Sequence, residues 1–261
     1  MTALPFVMAA PNGARLTKAD HPAIPVTVEQ TVADALACRA AGADGLHAHV
    51  RDPDGLHVLD AGLYRELIAE MATRAPGFYV QVTTEAVGRY TPAQQRALVD
   101  DLRPDAVSIA HREITATDPD DVTAAFFARC RDAGVGVQHI LYDADDVDAL
   151  ARSLDRGVVV SEGRLMTLLV LGRYSAGQVS DPADLVPLVE RMHTALGSVD
   201  WAVCAFGAAE TDCLATAHGL GGKVRVGFEN NRLNADGSIA ANNAERVSRV
   251  IAALSGARGN R

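Results

Sequence analysis

Apolar, β-branched and aromatic residues recur along the chain in eight short runs. The runs are spaced by roughly 30 residues, which is the length of one strand, one loop and one helix. We therefore predict eight strands. They are PFVMAA from Pro5, DGLHAHV from Asp44, FYVQVTT from Phe78, DAVSIA from Asp105, VGVQHILY from Val135, LMTLLVL from Leu165, WAVCAF from Trp201 and KVRVGFE from Lys223.

Between these runs, apolar residues recur at every third or fourth position, which is the period of an amphipathic helix. Leu63, Leu67 and Met71 form one such series. Helix starts are predicted where a capping side chain stands in a capping box or directly before a proline. The predicted capping residues are Thr27, Thr91, Asp118 and Asp181.

Eight strand–helix units in about 250 residues match the size of a (β/α)8 TIM barrel. The alternative, an open doubly wound sheet that binds a dinucleotide, predicts a GxGxxG turn after the first strand, and none occurs there. No linker, low-complexity tract or run of charge divides the chain. We expect an α/β fold in which residues 1–261 form a single (β/α)8 barrel domain.

The amino-acid composition excludes several classes of function. The 24 Lys and Arg residues stand against 33 Asp and Glu, a net charge of −9, and the scattered basic residues exclude a nucleic-acid partner. With 48% hydrophobic and 22% charged residues, the chain is not of the disordered type. The N-terminus lacks a basic signal region and a membrane-spanning apolar run, and the four cysteines form no CxxC pair. We expect a cytoplasmic protein with buried thiols and no membrane partner.

The second run contains the sharpest candidate for chemistry. In GLHAHVRD, residues two apart share one face of the strand, so His47 and His49 converge. Glu229 ends the eighth run, close to the second strand in a closed barrel whose active site lies at the carboxyl ends of its strands. Two imidazoles and one carboxylate leave a coordination position open, which is typical of a catalytic divalent metal, most simply zinc. The alternative is that the two histidines only pack in the core.

Further polar side chains follow the first, third and fourth runs. The hydroxyls among them can bind a carboxylate or an oxyanion, although the same residues also cap turns. The candidates for substrate binding are Arg15, Thr83, Thr84, Glu85 and Ser108.

Several long motifs carry a resemblance to a known family. They are PNGARLTKADHPAIPVT, AGADGLHAHVRDPDG, QVTTEAVG, DAVSIAHRE and GGKVRVGFENN. With these motifs the chain resembles the β-keto acid cleavage enzymes, whose first described activity is 3-keto-5-aminohexanoate cleavage. The resemblance covers essentially the whole chain.

The resemblance implies a (β/α)8 homotetramer that binds zinc through His47, His49 and Glu229. It implies a reaction in which a β-keto acid and acetyl-CoA give acetoacetate and a new acyl-CoA by a retro-Claisen step. Zinc would hold the carboxylate and keto oxygens of the substrate as a Lewis acid. Arg225 would assist with charge and proton handling, while Thr83 and Ser108 match positions that contact the keto acid.

Two departures from the family pattern concern the proton. Asn230 stands where an acid often follows the metal-binding glutamate, and Gln138 replaces a glutamate of the fifth strand. An amide cannot act as the carboxylate of a proton-transfer pair. Asp143 or Glu85 are candidates for that task, and the metal by itself is a third. The candidate catalytic residues are Arg225, Asn230 and Asp143.

A third departure concerns the far end of the substrate. Arg15 stands where the aminohexanoate enzyme carries a glutamate suited to an ammonium group. A guanidinium repels an ammonium group, so we predict a substrate with a neutral or anionic distal group. The alternative is that Arg15 pairs with Glu85 and leaves the pocket neutral.

Two other functions remain open. A metal-dependent hydrolase or lyase would act on a β-keto acid with the same residues and without CoA. A binding or regulatory protein on the same barrel is disfavoured, because the three candidate ligands and Arg225 are all retained.

Overall fold

Eight parallel strands close into a barrel in chain order in the computed structural model, which describes residues 3–160 and 163–258. The last strand pairs with the first, with Met8 opposite Arg225. This closure confirms the predicted TIM barrel and excludes the open sheet. The strands are β1 Val7–Ala9, β2 Gly45–Ala48, β3 Tyr79–Thr83, β4 Ala106–Ala110, β5 Gly136–Leu141, β6 Leu165–Leu171, β7 Val199–Ala205 and β8 Lys223–Val226.

Helices surround the barrel between successive strands. In the described ranges they are α1 Val28–Ala40, α2 Ala61–Arg74, α3 Pro92–Leu102, α4 His111–Ile114, α5 Asp120–Asp132, α6 Ala144–Asp155, α7 Pro182–Leu196, α8 Glu210–Gly219 and α9 Asn243–Arg258. The short helix α4 was not expected from the sequence. Within the same ranges, no helix has the length and apolar character needed to cross a membrane.

Three of the four predicted helix caps are confirmed. Thr27, Thr91 and Asp181 each accept a hydrogen bond from a main-chain N–H in the first turn of their helix. The prediction for Asp118 is wrong, because Pro119 holds the capping position of α5 without a side-chain hydrogen bond. Asp118 instead accepts a hydrogen bond from Arg96 at 2.8 Å, so a tertiary contact replaces the local one.

Alternation along the strands creates two different environments. Outward-facing residues such as Val107 and Leu169 pack in the large apolar layer under the helices. The barrel interior has a smaller apolar cluster that includes Met8 and Leu168. The four cysteines are free and buried, as expected.

Gly227 marks the point where the chain leaves β8 toward Glu229. Its φ is +152°, and a Cβ there would overlap the carbonyl oxygen of Ala10. That same oxygen accepts a hydrogen bond from the Glu229 main-chain N–H at 3.1 Å. The close approach therefore couples the end of β1 to the segment that carries Glu229.

Replacing Gly227 with alanine should lower the free energy of unfolding by more than about 2 kcal/mol, since strained φ and a backbone clash add. Gly237→Ala is the matched control, because Gly237 has φ +82° and a Cβ added to it would meet no atom within 4 Å. The control should cost about 1–2 kcal/mol. Urea unfolding compares the two variants, and equal losses would contradict the role given to Gly227.

Candidate metal-binding active site

Three buried polar atoms meet at the carboxyl end of the barrel. The Nε2 atoms of His47 and His49 are 3.2 Å apart. The Oε2 atom of Glu229 lies 3.5 Å from the first and 3.6 Å from the second. The three side chains form a group that can hold a metal ion, and both histidines are 1% exposed. The predicted convergence of these residues is thus present in the structure.

The protonation states of this group suit a cation. Burial lowers the pKa of His47 to about 3, with a further contribution from the Arg225 charge, so the imidazole is neutral. Burial alone would raise the pKa of Glu229, but the Arg225 guanidinium and the two imidazoles outweigh it and hold that pKa well below its usual value. Glu229 is therefore a carboxylate that faces the neutral imidazole of His47.

The separation of the three atoms, and the lack of a donor for one of them among the described residues, fit a divalent metal. Ligands of a tetrahedral zinc at its usual bond lengths stand about 3.4 Å apart, close to the three separations in the triad. In the described part of the chain, Glu229 Oε2 has no hydrogen-bond partner despite its burial. A buried anionic oxygen without a donor is costly, and a cation bound there would remove that cost.

Arg225 holds the other oxygen of the same carboxylate. Its Nη2 donates to Glu229 Oε1 at 2.9 Å and to the sulfur of Cys204 at 3.2 Å. The guanidinium is buried and lies on the wall of the pocket. Arg225 therefore orients Glu229 and brings positive charge to the metal position.

Arg51 fixes the loop that follows β1. Its Nη2 donates to the carbonyl oxygens of Asn12, Gly13 and Leu16 at 3.0, 2.6 and 2.8 Å. The loop passes so close to Glu229, one of the candidate metal ligands, that a Cβ on Gly13 would lie 2.6 Å from the Glu229 side chain. A guanidinium two residues after His49 thus sets the wall of the pocket.

The pocket in front of the triad contains about 520 Å³ of unfilled space, part of it continuous with solvent. Its charged lining comprises three guanidinium groups and two carboxylates, a local excess of positive charge before any metal is counted. The lining residues are Asn12, Gly13, Ala14, Arg15, Leu16, His47, His49, Thr83, Glu85, Ile140, Tyr142, Val170, Arg173, Phe206, Arg225 and Glu229.

The expected alternative pairing of Arg15 with Glu85 is replaced by a different ion pair. Glu85 Oε1 lies 3.5 Å from Arg173 Nη2, and Glu85 Oε2 lies 3.9 Å from His49 Nδ1. Arg15 is exposed at the pocket and has no ion-pair partner among the described residues. Its charge is therefore available to a ligand.

The three candidate hydroxyls occupy different places. Thr83 lines the pocket, and its Oγ1 accepts a hydrogen bond from the Glu85 main-chain N–H. Thr84 donates to the Ser108 carbonyl oxygen at 3.2 Å, and Ser108 contacts the Val82 carbonyl oxygen at 3.5 Å. The structure thus brings Thr83 to the pocket, while Thr84 and Ser108 contact the main chain of β3 and β4.

Two of the candidate catalytic residues lie outside the pocket lining. Asp143 accepts a hydrogen bond from Arg112 at 2.6 Å and caps helix α6. These contacts hold its carboxylate away from the triad. Asn230 is 6% exposed, and both polar atoms of its side chain lack a partner among the described residues.

A buried ion pair lies behind the segment that follows Glu229. Arg246 and Glu210 are both fully buried and their side chains are joined by a 2.5 Å contact. Asn231 donates to the same Glu210 carboxylate at 3.2 Å. This network attaches the segment that follows Glu229 to helices α8 and α9.

Sequence reasoning missed one residue of this site. Gln81 accepts a hydrogen bond from His47 Nδ1 at 2.9 Å. Gln81 shares its strand face with Thr83, so strand alternation was the signal that would have found it. Arg173 follows the sixth predicted run, at a strand end where the sequence predicts active-site residues. It does line the pocket, but its pairing with Glu85 was not predicted.

Comparison with known proteins gives one family and several distant relatives. The family model described as beta-keto acid cleavage enzyme matches residues 5–259. A 3-keto-5-aminohexanoate cleavage enzyme of Fusobacterium nucleatum is 29% identical over 252 residues, covering 94% of this chain and 89% of the relative. A 3-oxoadipate:acetyl-CoA acetyltransferase of Cupriavidus necator is 26% identical over 257 residues, covering 97% of this chain and 89% of the relative.

Solved structures share the barrel at low identity. The binary complex of ObcA with oxaloacetate matches with a TM-score of 0.74 and 20% identity, covering 91% of this chain and 64% of that one. This chain therefore spans just under two thirds of that structure. A type I 3-dehydroquinate dehydratase from Clostridium difficile matches with a TM-score of 0.66 and 10% identity, covering 100% of this chain and 94% of that one. At such identities the likeness concerns the fold alone.

Proposed function

The chain belongs to the β-keto acid cleavage enzyme family, and on that basis we propose that it is a zinc-dependent β-keto acid:acetyl-CoA acyltransferase. One distant relative is named for an acetyl-CoA-dependent transfer to a β-keto acid. The observation that carries the proposal is the buried triad of His47, His49 and Glu229 beside a positively charged pocket. The proposed products are acetoacetate and the acyl-CoA of the substrate's keto end.

In the proposed reaction the substrate carbon between the carboxylate and keto groups loses a proton and bonds to the acetyl carbonyl carbon, and the thioester C–S bond breaks to release CoA as a thiolate. The thiolate then bonds to the substrate's keto carbon, the bond between that carbon and the attacking carbon breaks, and the released carbanion takes a proton to give acetoacetate and the new acyl-CoA. When bound at the triad, zinc supplies Lewis-acid stabilisation of the negative charge that develops on the substrate. Arg225 adds a fixed positive charge at the pocket wall and keeps Glu229 oriented.

Among the carboxylates considered for proton transfer, Glu85 has the position that the task needs. It lines the pocket, whereas Asp143 is bound to Arg112 outside it. Asn230 and Gln138 are amides and cannot take the proton. We assign the proton transfer to Glu85, whose carboxylate lies 3.5 Å from the Arg173 guanidinium.

The charge of the pocket indicates the class of substrate. Arg15 is free of ion-pair partners among the described residues and faces the same space as the triad. The guanidinium favours a distal carboxylate and disfavours an ammonium group. We propose a β-keto dicarboxylate, the class to which the substrate named for the Cupriavidus necator relative belongs.

Acetoacetate formation from three β-keto acids, each with and without acetyl-CoA, tests this function. The substrates carry a carboxylate, a methyl or an ammonium group at the distal end. Turnover should require acetyl-CoA and should have its lowest KM with the dicarboxylate. Arg15→Gln should raise the KM for the dicarboxylate about fivefold, the worth of about 1 kcal/mol for an exposed charge pair.

The neutral substrate is the internal control for that variant, and its KM should change less than about twofold, because no charge pair is lost. Equal turnover without acetyl-CoA would instead support a hydrolase or lyase. Comparable KM values for the ammonium and dicarboxylate substrates would contradict the assigned substrate class.

A further inference from the structure

A chain of hydrogen bonds crosses the barrel interior from the candidate metal ligand His47 to strand β6. The Nδ1 atom of His47 lies 2.9 Å from Gln81 Oε1. The Nε2 atom of Gln81 lies 2.9 Å from Gln138 Oε1. The Nε2 atom of Gln138 lies 3.1 Å from the Thr167 carbonyl oxygen. Residues of four strands, β2, β3, β5 and β6, are thus joined.

The donor and acceptor roles in this series of hydrogen bonds are determined by its last acceptor, the Thr167 carbonyl oxygen. A main-chain carbonyl oxygen only accepts hydrogen bonds, so Gln138 must present its NH2 group to Thr167. The Gln138 side-chain oxygen then faces Gln81. Gln81 must therefore donate from its NH2 group to Gln138 and direct its own oxygen toward His47. The ring nitrogen that meets this oxygen must carry a proton. His47 therefore holds its proton on Nδ1 and leaves a free lone pair on Nε2.

The surroundings leave little freedom for another arrangement. Gln81 and Gln138 are 0% exposed, and His47 is 1% exposed. A reversed amide would place two oxygens or two NH2 groups face to face in a buried position and leave these polar groups without hydrogen-bond partners, which is unfavourable. Because the hydrogen-bonded side chains are buried, their amide orientations cannot reverse without leaving polar groups unpaired.

We propose that Gln81 and Gln138 are positioning residues that fix the ring of His47 as the Nδ1–H tautomer and aim its Nε2 at the metal position. The proposal rests on the metal site of the proposed function. Histidine ligands commonly donate their second N–H to a carboxylate, a carbonyl group or water, which sets the ring orientation and the basicity of the ligand. A neutral amide accepts the same proton without adding negative charge, so Glu229 remains the anion in contact with His47.

This arrangement gives a function to Gln138. As an amide, Gln138 both accepts from Gln81 and donates to Thr167. An ionised glutamate at that position would set a carboxylate oxygen against the Thr167 carbonyl oxygen and remove the donor that fixes the direction. Only a group that both accepts and donates, such as this amide, lets the Thr167 carbonyl oxygen of β6 determine the orientation of Gln81 and hence the tautomer of His47.

The test uses the full-length chain labelled with ¹⁵N-histidine and stripped of metal by a chelator. Long-range ¹H–¹⁵N spectra identify which ring nitrogen of His47 is protonated. The parent chain should show Nδ1–H with an unprotonated Nε2. Gln81→Met, which removes the acceptor at nearly constant volume, should give a mixture of tautomers. Gln138→Met should give a smaller but detectable admixture, because Gln81 is then free to reverse.

Zinc affinity, measured by competition with a chromophoric chelator, gives the second readout. Gln81→Met should weaken zinc binding about 10–100-fold, the usual cost of losing a partner of a metal-binding histidine. Gln138→Met should weaken it by a smaller factor. Gln95→Met is the matched control, because Gln95 is also 0% exposed but binds Thr84 and Glu113 in place of His47. It should change zinc affinity less than about twofold, although it removes buried hydrogen bonds of the same kind.

The two readouts separate the possible failures. An unchanged His47 tautomer together with parent-like zinc affinity in Gln81→Met would overturn the positioning role. Equal losses of zinc affinity in Gln81→Met and Gln95→Met would also overturn it, because a general loss of stability would then account for both. Failure of the parent chain to bind zinc would contradict the metal site of the proposed function.

Discussion

His49→Ala is expected to weaken zinc binding by about 10³-fold and to lower kcat for acetoacetate formation by at least a similar factor. Structural zinc sites bind with about 10–16 kcal/mol in total, so one of three protein ligands accounts for several kcal/mol. Its Nε2 atom is one corner of a nearly equilateral triangle of candidate ligand atoms, 3.2 Å from His47 Nε2 and 3.6 Å from Glu229 Oε2. Its removal leaves a pair of ligands and opens the site to water.

Elemental analysis after dialysis against a weak chelator measures the first effect, and steady-state assays measure the second. His111→Gln is the matched control, because His111 is also a buried histidine but contacts Ser153 at 3.0 Å and does not line the pocket. The control should keep one zinc per chain. A full complement of zinc in His49→Ala, at parent-like affinity, would show that the triad is not the metal site.

The second large effect concerns stability. Arg246→Met should lower the free energy of unfolding by about 3–5 kcal/mol, the usual loss when one partner of a buried ion pair is removed. The variant leaves the Glu210 carboxylate without its guanidinium in a fully buried position. The double variant Arg246→Met with Glu210→Met should recover most of the loss, because it buries neither charge. Urea unfolding of the two variants and the parent measures both the loss and the recovery.

The loss in Arg246→Met should also depend on pH. Burial, partly offset by Arg246, raises the pKa of Glu210 from 4.5 to about 7. A carboxyl with a raised pKa in the folded state stabilises the fold below its unfolded pKa, and that contribution disappears as the pH rises through the folded pKa. Without Arg246 the folded pKa rises further. The variant should therefore lose more stability at pH 8 than at pH 5, and an equal loss at both would contradict the assignment of the charge to Glu210.

The sequence predicts the barrel and the triad because both depend on local regularities. Strand spacing predicts the number of strands, and alternation predicts that His47 and His49 share a face. Closure of the sheet then brings the turn after β8, which carries Glu229, to the same end of the barrel. The sequence places Glu229 there because it follows β8 by only three residues.

The contacts that sequence reasoning missed depend on how far along the barrel interior each side chain lies and on which of several possible partners it binds. The bond between Gln81 and Gln138 crosses the barrel past strand β4, so it depends on the register of three strands at once. The pairing of Glu85 depends on whether the Arg15 or the Arg173 guanidinium lies within reach in the folded chain, and it is Arg173 that does, at 3.5 Å. Asp118 fits the pattern of a helix cap but binds Arg96, because a charged partner lies within reach in the fold.

Arg51 holds the loop after β1 through three hydrogen bonds, which we call the Arg51 clamp, and this clamp affects how the substrate preference of the enzyme can diverge in evolution. The clamp uses only carbonyl oxygens of residues 12, 13 and 16, so it holds the path of the loop without restricting the side chain at position 15. An insertion or deletion in the loop would break the clamp beside the metal position. A single codon change at Arg15 would leave it intact. Divergence toward substrates of different charge should therefore proceed by point substitution at position 15, on a loop of constant length.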